Sequence, residues 1–403
     1  MRVAAYCAGY EPEAGGGYTF ETEVLEALLK VAGGKPGIEF VLLCPEANAQ
    51  ALGTRVTGSG LTVQPVRTGF AERRLQPFLR ESAFVRAHWR RPGAIDRAAA
   101  AAGADLVWFL GAGVHNTNLP YVTVVWDLQH RATPWFPEMS ANGVWDGREL
   151  AHDWFLKRAS SVIVGTDVGR KEVEGFYGVP PNRIARLPHP TPQFALDAGP
   201  GAPASQDIAH LKIKRPYFLY PAQFWPHKNH VNLVLALAEL VSRHKVDADL
   251  VFVGSDKGNH EHVSTVAKQA GVADRLNYLG FVSRADLVHL YRNAIALAYA
   301  SWCGPENLPP LEAFALGCPV VATRIPGAEE QLGAAALYAD PANPADIADA
   351  LARVHFDATL RAELVAKGLA RAQQWTSREY VAGAIDIFNG LEPMLRCWRP
   401  ART

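Results

Sequence analysis

Short apolar runs recur along this chain, separated by stretches of helical spacing, and that alternation leaves few folds open. Residues 3–7, 40–44, 106–110, 122–125 and 162–164 form such runs in the first half. Residues 217–221, 250–254, 295–299 and 320–323 repeat the pattern in the second. Among the segments between them, residues 21–31 place Val24, Leu25, Leu28 and Leu29 on one helical face. Buried strands alternating with helices are the signature of doubly wound parallel sheets. At 403 residues the chain has room for two domains of this kind. Residues 197–207, rich in Gly, Pro, Ala and Ser, suit the linker between them.

Composition excludes several classes. The chain is 49% apolar and 20% charged, with a formal net charge of zero, so no overall field favours nucleic acid. No apolar run approaches the roughly 20 residues a bilayer span needs. The first residues, Met1-Arg2-Val3-Ala4-Ala5-Tyr6-Cys7, lack the long apolar core of a signal peptide and read as a first buried strand. The five cysteines are scattered, with no CxxC pair. A reducing cytoplasm is expected, with neither a disulfide framework nor a zinc site.

The densest signal lies in residues 304–321. Gly304-Pro305-Glu306-Asn307-Leu308-Pro309-Pro310 reads as a loop, because Gly, Asn and paired Pro disfavour helix and central strand. Residues 311–316 can form a short helix with Glu312 in its first turn, Gly317 ends it, and a buried strand follows from Val320. A loop that opens a helix above a parallel sheet gathers free N–H groups and the positive helix end at one point, which suits an anion. Glu312 can accept hydrogen bonds there from a diol such as a ribose. A plain helix start with a dipole-favoured acid is the alternative.

Leu308-Pro309-Pro310-Leu311-Glu312-Ala313 resembles the second half of the nucleotide-binding signature of the retaining glycosyltransferases of the GT4 class. The resemblance implies an α/β chain of the GT-B fold, two Rossmann-like domains with parallel sheets facing a cleft. In that family the second of two Glu residues holds the donor ribose, and Glu312 matches it. Gly304 stands where the first Glu is expected, with Glu306 two positions out of register. The form Gly-Pro-x-Asn-Leu-Pro-Pro-Leu-Glu-Ala belongs to a branch associated with surface polysaccharides.

Other residues follow the same resemblance. Lys228 matches the Lys of an Arg-x-x-x-x-Lys phosphate clamp, with Gln223 in place of the Arg. Read alone, a Lys just before a helix is a phosphate ligand or simply an exposed loop residue. Backbone groups around Phe281, Val282 and Ser283 are expected at the nucleotide base. Those near Asn307 and Leu308 are expected at the diphosphate. Gly16 and Gly17, after the first strand, correspond to a glycine loop facing that diphosphate; a flexible loop is the alternative. At the strand end of residues 124–130 the family carries a His followed by an acid. Trp126 takes the His position, Asp127 matches the acid, and His130 follows. Asp127 is expected to accept from a hydroxyl and His130 to orient a sugar hydroxyl or phosphate.

The resemblance covers nearly all of the second half and the first half more loosely. It divides the chain into an acceptor-binding domain at 1–196, a linker at 197–215, a nucleotide-sugar domain at 216–375 and a helix at 376–403 crossing back to the first domain. Residues 67–97 carry Arg73, Arg74, Arg80, Arg86, Arg90 and Arg91 among Phe70, Phe78, Leu79, Phe84, Val85 and Trp89. They read either as a solvated helix pair or as a face for an anionic membrane, the inner face of the plasma membrane in this setting. The activity implied is transfer of mannose, or a deoxyhexose such as rhamnose, from a nucleoside-diphosphate sugar to a glycan or lipid-linked acceptor. GDP-mannose is the donor by branch; retention of configuration, no cofactor and no metal are expected. Two rivals stand beside it: a GT-B sugar-nucleotide epimerase, and a non-catalytic nucleotide-sugar-binding subunit of an assembly complex.

Overall fold

The computed structural model describes residues 1–11, 15–31, 37–88, 92–202 and 205–397. It divides into two compact units. Unit 1 holds the described residues of Met1–Pro134, Met139–Pro190 and Ser377–Thr403, and unit 2 holds those of Trp135–Glu138 and Thr191–Thr376.

Unit 1 is built on a sheet of β1 (Arg2–Tyr6), β2 (Glu39–Pro45), β3 (Thr62–Val66), β4 (Leu106–Phe109), β5 (Tyr121–Val124), β6 (Ser161–Val164) and β7 (Ile184–Arg186). Their spatial order is β3-β2-β1-β4-β5-β6-β7, all parallel. Its helices bury apolar faces as the spacing requires. The helix Gly16–Val31 covers Phe20, Val24, Leu25 and Leu28, and the chain's last long helix, Ser377–Leu395, packs against it. That helix buries Tyr380, Val381, Ala384, Ile385 and Phe388. Phe388 meets Trp108 at 5.3 Å and Tyr380 meets Phe20 edge-on at 5.3 Å, so the C-terminal segment completes the core of the first unit.

Unit 2 contains β8 (Tyr217–Pro221), β9 (Asp249–Val253), β10 (Leu276–Tyr278), β11 (Ala296–Tyr299), β12 (Val320–Thr323) and β13 (Ala336–Ala339). The order is β10-β9-β8-β11-β12-β13, again all parallel. The chain first winds outward from β8 to β10, then returns to β11 on the other side. Loops after β8 and β11 therefore diverge at a topological switch point, where open α/β sheets form a ligand crevice.

Three differences from the sequence reading have physical causes. Strands β3, β7 and β13 were not expected; each is a sheet edge and only partly buried, and Pro65 within β3 is tolerated at such an edge. The first boundary falls at Pro190 rather than residue 196. Ala195 is fully buried in the core of unit 2, with Phe194, Leu196 and Ala198 packed on it, so the linker begins with a helix belonging to the second unit. The helix after the 304–307 loop starts at Leu308, not 311, and Glu312 lies in its second turn. Proline is favourable at the first helical positions, whose N–H groups have no partner within the helix, so Pro309 and Pro310 open this helix instead of preventing it. No helix among the described residues is long and apolar enough to cross a membrane.

Candidate active site

At the switch point of unit 2, three side chains converge. Lys228 ends a short turn, Pro226–Lys228, after β8. Asn229 follows in the left-handed region at φ +59° and turns the chain into the helix His230–Ser242. The Lys228 ammonium donates to the Tyr299 hydroxyl at 3.1 Å and reaches the Asn307 Oδ1 at 3.5 Å. The Tyr299 hydroxyl in turn donates to Asn307 Oδ1. Tyr299 closes β11 and Asn307 immediately precedes the helix Leu308–Ala315, so the carboxyl ends of β8 and β11 meet at the Lys228 head group.

The loop between β11 and that helix is held from behind. The Asn307 N–H donates to Gln331 Oε1 and Gln331 Nε2 donates to the Asn307 carbonyl, both at 2.9 Å. Asn307 Nδ2 donates to the Gly304 carbonyl at 2.9 Å. Pro309 and Pro310 have no N–H, and that of Asn307 is taken, so Leu308 is the one residue of this helix start with an N–H for a ligand. Gly304 sits at φ +105°, and a Cβ there would lie 3.1 Å from Asn307 Oδ1. The Glu expected at this position is thus excluded by backbone conformation. Glu306 is buried beside it.

Glu312 is buried, and its Oε2 accepts from the Tyr291 hydroxyl at 2.8 Å. Burial first, and then the Glu312 charge, push the Tyr291 phenol well above its usual range, so it stays a neutral donor. Ser283 caps the helix Arg284–Asn293, its hydroxyl accepting from the Asp286 N–H at 3.0 Å, which commits its side chain. Phe281 beside it is 72% exposed and Val282 is half-buried. Gln223 Oε1 accepts from Trp225 Nε1 at 3.0 Å.

Sequence reasoning missed the supports of this site. Besides Tyr299, Tyr291 and Gln331, Glu138 clamps the Lys228 turn: its Oε1 accepts the His227 N–H at 3.0 Å and lies 2.5 Å from His227 Nδ1. No local pattern marks Glu138, which lies 89 residues from His227 in sequence.

In unit 1 the expected residues are placed differently. Gly16 and Gly17 open the helix Gly16–Val31, and what approaches Gly17 is the Trp126 ring, 3.3 Å from where a Cβ would stand. The group that holds the preceding loop is Glu21, whose carboxylate accepts the N–H groups of Ala8, Gly9 and Tyr10 at 2.6, 2.8 and 3.3 Å. Asp127 accepts from the Gln129 N–H at 3.0 Å and from Arg148 at 2.9 Å. His130 has no exposed surface. Its Nε2 pairs with the Tyr177 hydroxyl at 2.9 Å, and burial followed by the Arg148 charge lowers its pKa to about 4. The expectation that His130 touches a sugar is therefore corrected: the turn Gln129–Ala132 drives the ring inward, where it packs as a neutral histidine. Glu172 was not expected. Burial, then the charge of Asp127, raise its carboxyl to about 7.

Phe70, Phe78 and Phe84 are exposed on the helices Phe70–Glu81 and Ala83–His88, with the Arg74 guanidinium 5.5 Å from the Phe70 ring centroid. Trp89, Arg90 and Arg91 lie outside the described residues, as do the side chains of Leu79, Arg80 and Arg86.

Residues 204–371 match the family model described as Glycosyl transferases group 1. That segment contains Lys228, Tyr299, Asn307 and Glu312. The D-inositol 3-phosphate glycosyltransferase of Acidothermus cellulolyticus is 29% identical over 239 residues, 57% of this chain and 53% of that protein. The O-antigen chain mannosyltransferase B of Escherichia coli is 28% identical over 239 residues, 58% of this chain and 61% of that protein. The chain thus spans between half and two thirds of the length of these curated relatives. The crystal structure of Anabaena HepE in complex with UDP superposes with a TM-score of 0.67 at 17% identity, covering 98% of this chain and all of that one. The fold is GT-B.

Proposed function

We propose that this chain is a retaining hexosyltransferase. It moves mannose, or a deoxyhexose such as rhamnose, from a nucleoside-diphosphate sugar to a glycan or lipid-linked acceptor in surface-polysaccharide assembly. The observation that carries the reading is the convergence of Lys228, Tyr299 and Asn307 at the switch point of unit 2, with Glu312 one helical turn further on. The group 1 match over the same residues supports it. So do the name of the E. coli relative, an O-antigen chain mannosyltransferase, and the UDP bound by HepE.

In this reading the Lys228 ammonium and the Leu308 N–H face the diphosphate and stabilise the charge that develops as the glycosidic bond breaks. Groups already held in place by Tyr299, Gln331 and Glu138 lose little reorganisation energy in that step. Glu312, its Oε2 already held by the Tyr291 hydroxyl, receives the ribose hydroxyls. The acceptor's proton passes to the leaving phosphate oxygen, so no enzyme base is required. Donor and leaving group bind without metal or cofactor.

The test is thermal stabilisation by GDP, UDP and dTDP, each with and without its sugar. A ligand at a hundred times its dissociation constant adds about 2.7 kcal/mol. One nucleotide is expected to stand out, GDP by the branch resemblance. No shift with any of the three would overturn the donor site.

The same reading gives the protein a place on the cytoplasmic membrane face, where a lipid-linked acceptor is presented. Exposed Phe70, Phe78 and Phe84 beside Arg73 and Arg74 are the surface for it. Charge reversal of Arg73 and Arg74 is expected to weaken sedimentation with anionic liposomes; unchanged binding sinks this part.

A further inference from the structure

We propose that Lys257 is a second cation of the donor site, binding the phosphates of the nucleoside diphosphate together with Lys228. The inference rests on the nucleotide reading above and adds a residue that neither motif nor resemblance assigns.

The argument starts from charge. A nucleoside diphosphate carries more than one negative charge at neutral pH, its terminal phosphate titrating near pH 6. The site described so far offers little against it. Lys228 is one cation, partly engaged by Tyr299 and Asn307. Gln223 is neutral. The helix start gives one N–H, from Leu308, because two prolines follow and Gln331 takes that of Asn307. A site with so few donors leaves much of the phosphate charge uncompensated once water is displaced.

The neighbouring loop supplies what is missing. The loop after β9 is fastened to the one after β8. Phe224 N–H donates to the Ser255 carbonyl at 3.1 Å, and Phe224 and Asp256 form an isolated parallel bridge. Gly254, at φ +148°, allows this approach: a Cβ there would stand 2.5 Å from the Ala222 carbonyl oxygen. Lys257 is therefore carried on the same rim as residues 223–228. Its ammonium lies 5.7 Å from the centroid of the Trp225 ring. Trp225 donates its indole N–H to Gln223, and its carbonyl accepts the Lys228 N–H at 3.0 Å. One tryptophan thus touches both residues, Lys228 through its backbone carbonyl and Lys257 through a cation–π contact with its ring.

Lys257 is half-buried, and among the described residues its recorded side-chain contact is the Trp225 ring, with no ion pair. The adjacent carboxylate does not neutralise it. Asp256 turns into its own loop and accepts the N–H groups of Gly258 at 2.8 Å and His260 at 3.2 Å. A positioned, unneutralised ammonium at the carboxyl edge of a parallel sheet has the chemistry of a phosphate ligand.

Charge and packing separate in two variants. Lys257→Met keeps the stem over Trp225 and removes the charge; Lys257→Arg keeps both. The probe is whichever of GDP, UDP and dTDP most stabilises the wild type, with its uncharged nucleoside as control. Lys257→Met is expected to bind the diphosphate roughly tenfold more weakly, the effect of one charge-assisted hydrogen bond. Its affinity should also fall less steeply with salt, while the nucleoside binds as before. Lys257→Arg should stay near wild type. Unchanged diphosphate affinity in Lys257→Met, with Lys228→Ala losing it, overturns the inference and leaves the donor site standing. Equal loss in the Met and Arg variants, or equal loss for nucleoside and diphosphate, assigns Lys257 to packing or to the base and also overturns it. A wild type that binds none of the three nucleotides removes the donor reading and this inference with it.

Discussion

Lys228→Ala is expected to lower sugar transfer by two to three orders of magnitude while leaving the fold intact, the loss that follows removal of one preorganised charge-stabilising group (~10²–10³). The residue stands on a turn, not in the core, so the folding cost is small. Its ammonium is the group through which the ends of β8 and β11 communicate, by Tyr299 at 3.1 Å and Asn307 at 3.5 Å. In the variant these two retain their own hydrogen bond, and Gln331 still braces the loop. Nucleotide-induced thermal stabilisation should fall in parallel with activity, since the same charge serves ground state and transition state. A larger fall in kcat than in nucleotide affinity would mark the part that develops only as the bond breaks. Near-normal transfer by a correctly folded Lys228→Ala protein would remove Lys228 from the machinery.

How much of this was readable from the chain depends on what each residue's role requires. Strands buried on both faces announce themselves, and β8, β11 and β12 fall within one residue of the runs expected for them. The edge and short strands β3, β7 and β13 carry weaker patterns and were not seen. Lys228 and Glu312 stand out in the sequence because resemblance fixes their spacing from neighbouring motifs. Their supports were not: Glu138 reaches His227 across 89 positions, and Gln331 reaches Asn307 across 24. Such pairings are set by strand order, which no local window contains. His130 misled for a related reason. A histidine in a loop after a strand suggests a ligand, but whether the ring turns out or in is decided by Tyr177 and the helix Val144–Arg158, far along the chain. Gly304 illustrates the converse case. As a letter it is a missing acid; as a residue at φ +105° it is what that backbone demands.

Acidification should test the core behind the site. His230 opens the helix after Lys228 and is fully buried, stacked on Phe224 at 4.2 Å with Tyr220 and Phe252 around it. Neither ring nitrogen makes a hydrogen bond of standard geometry, and burial lowers its pKa to about 3. In the unfolded chain the same group titrates near 6.5. Below that value the unfolded state takes up a proton that the folded state refuses, so stability falls as pH falls, by about 1.4 kcal/mol per pH unit until the folded pKa is reached. From pH 7 to pH 5 the expected loss in unit 2 from this histidine is about 2 kcal/mol. In unit 1 the buried His130 and His189 act with the same sign, both lowered to about 4 by burial. Glu172 there acts with the opposite sign: raised to about 7, it is more readily protonated folded than unfolded and so favours the fold as pH drops towards its unfolded value. The two units should therefore lose stability unequally. His230→Phe keeps the ring stacking and removes the titration. It should match or exceed wild-type stability at pH 5 and flatten the pH dependence of unit 2 between pH 6.5 and pH 4, as measured by urea unfolding. An unchanged slope would mean that His230 accepts its proton in the folded state, and that this core admits water behind Lys228.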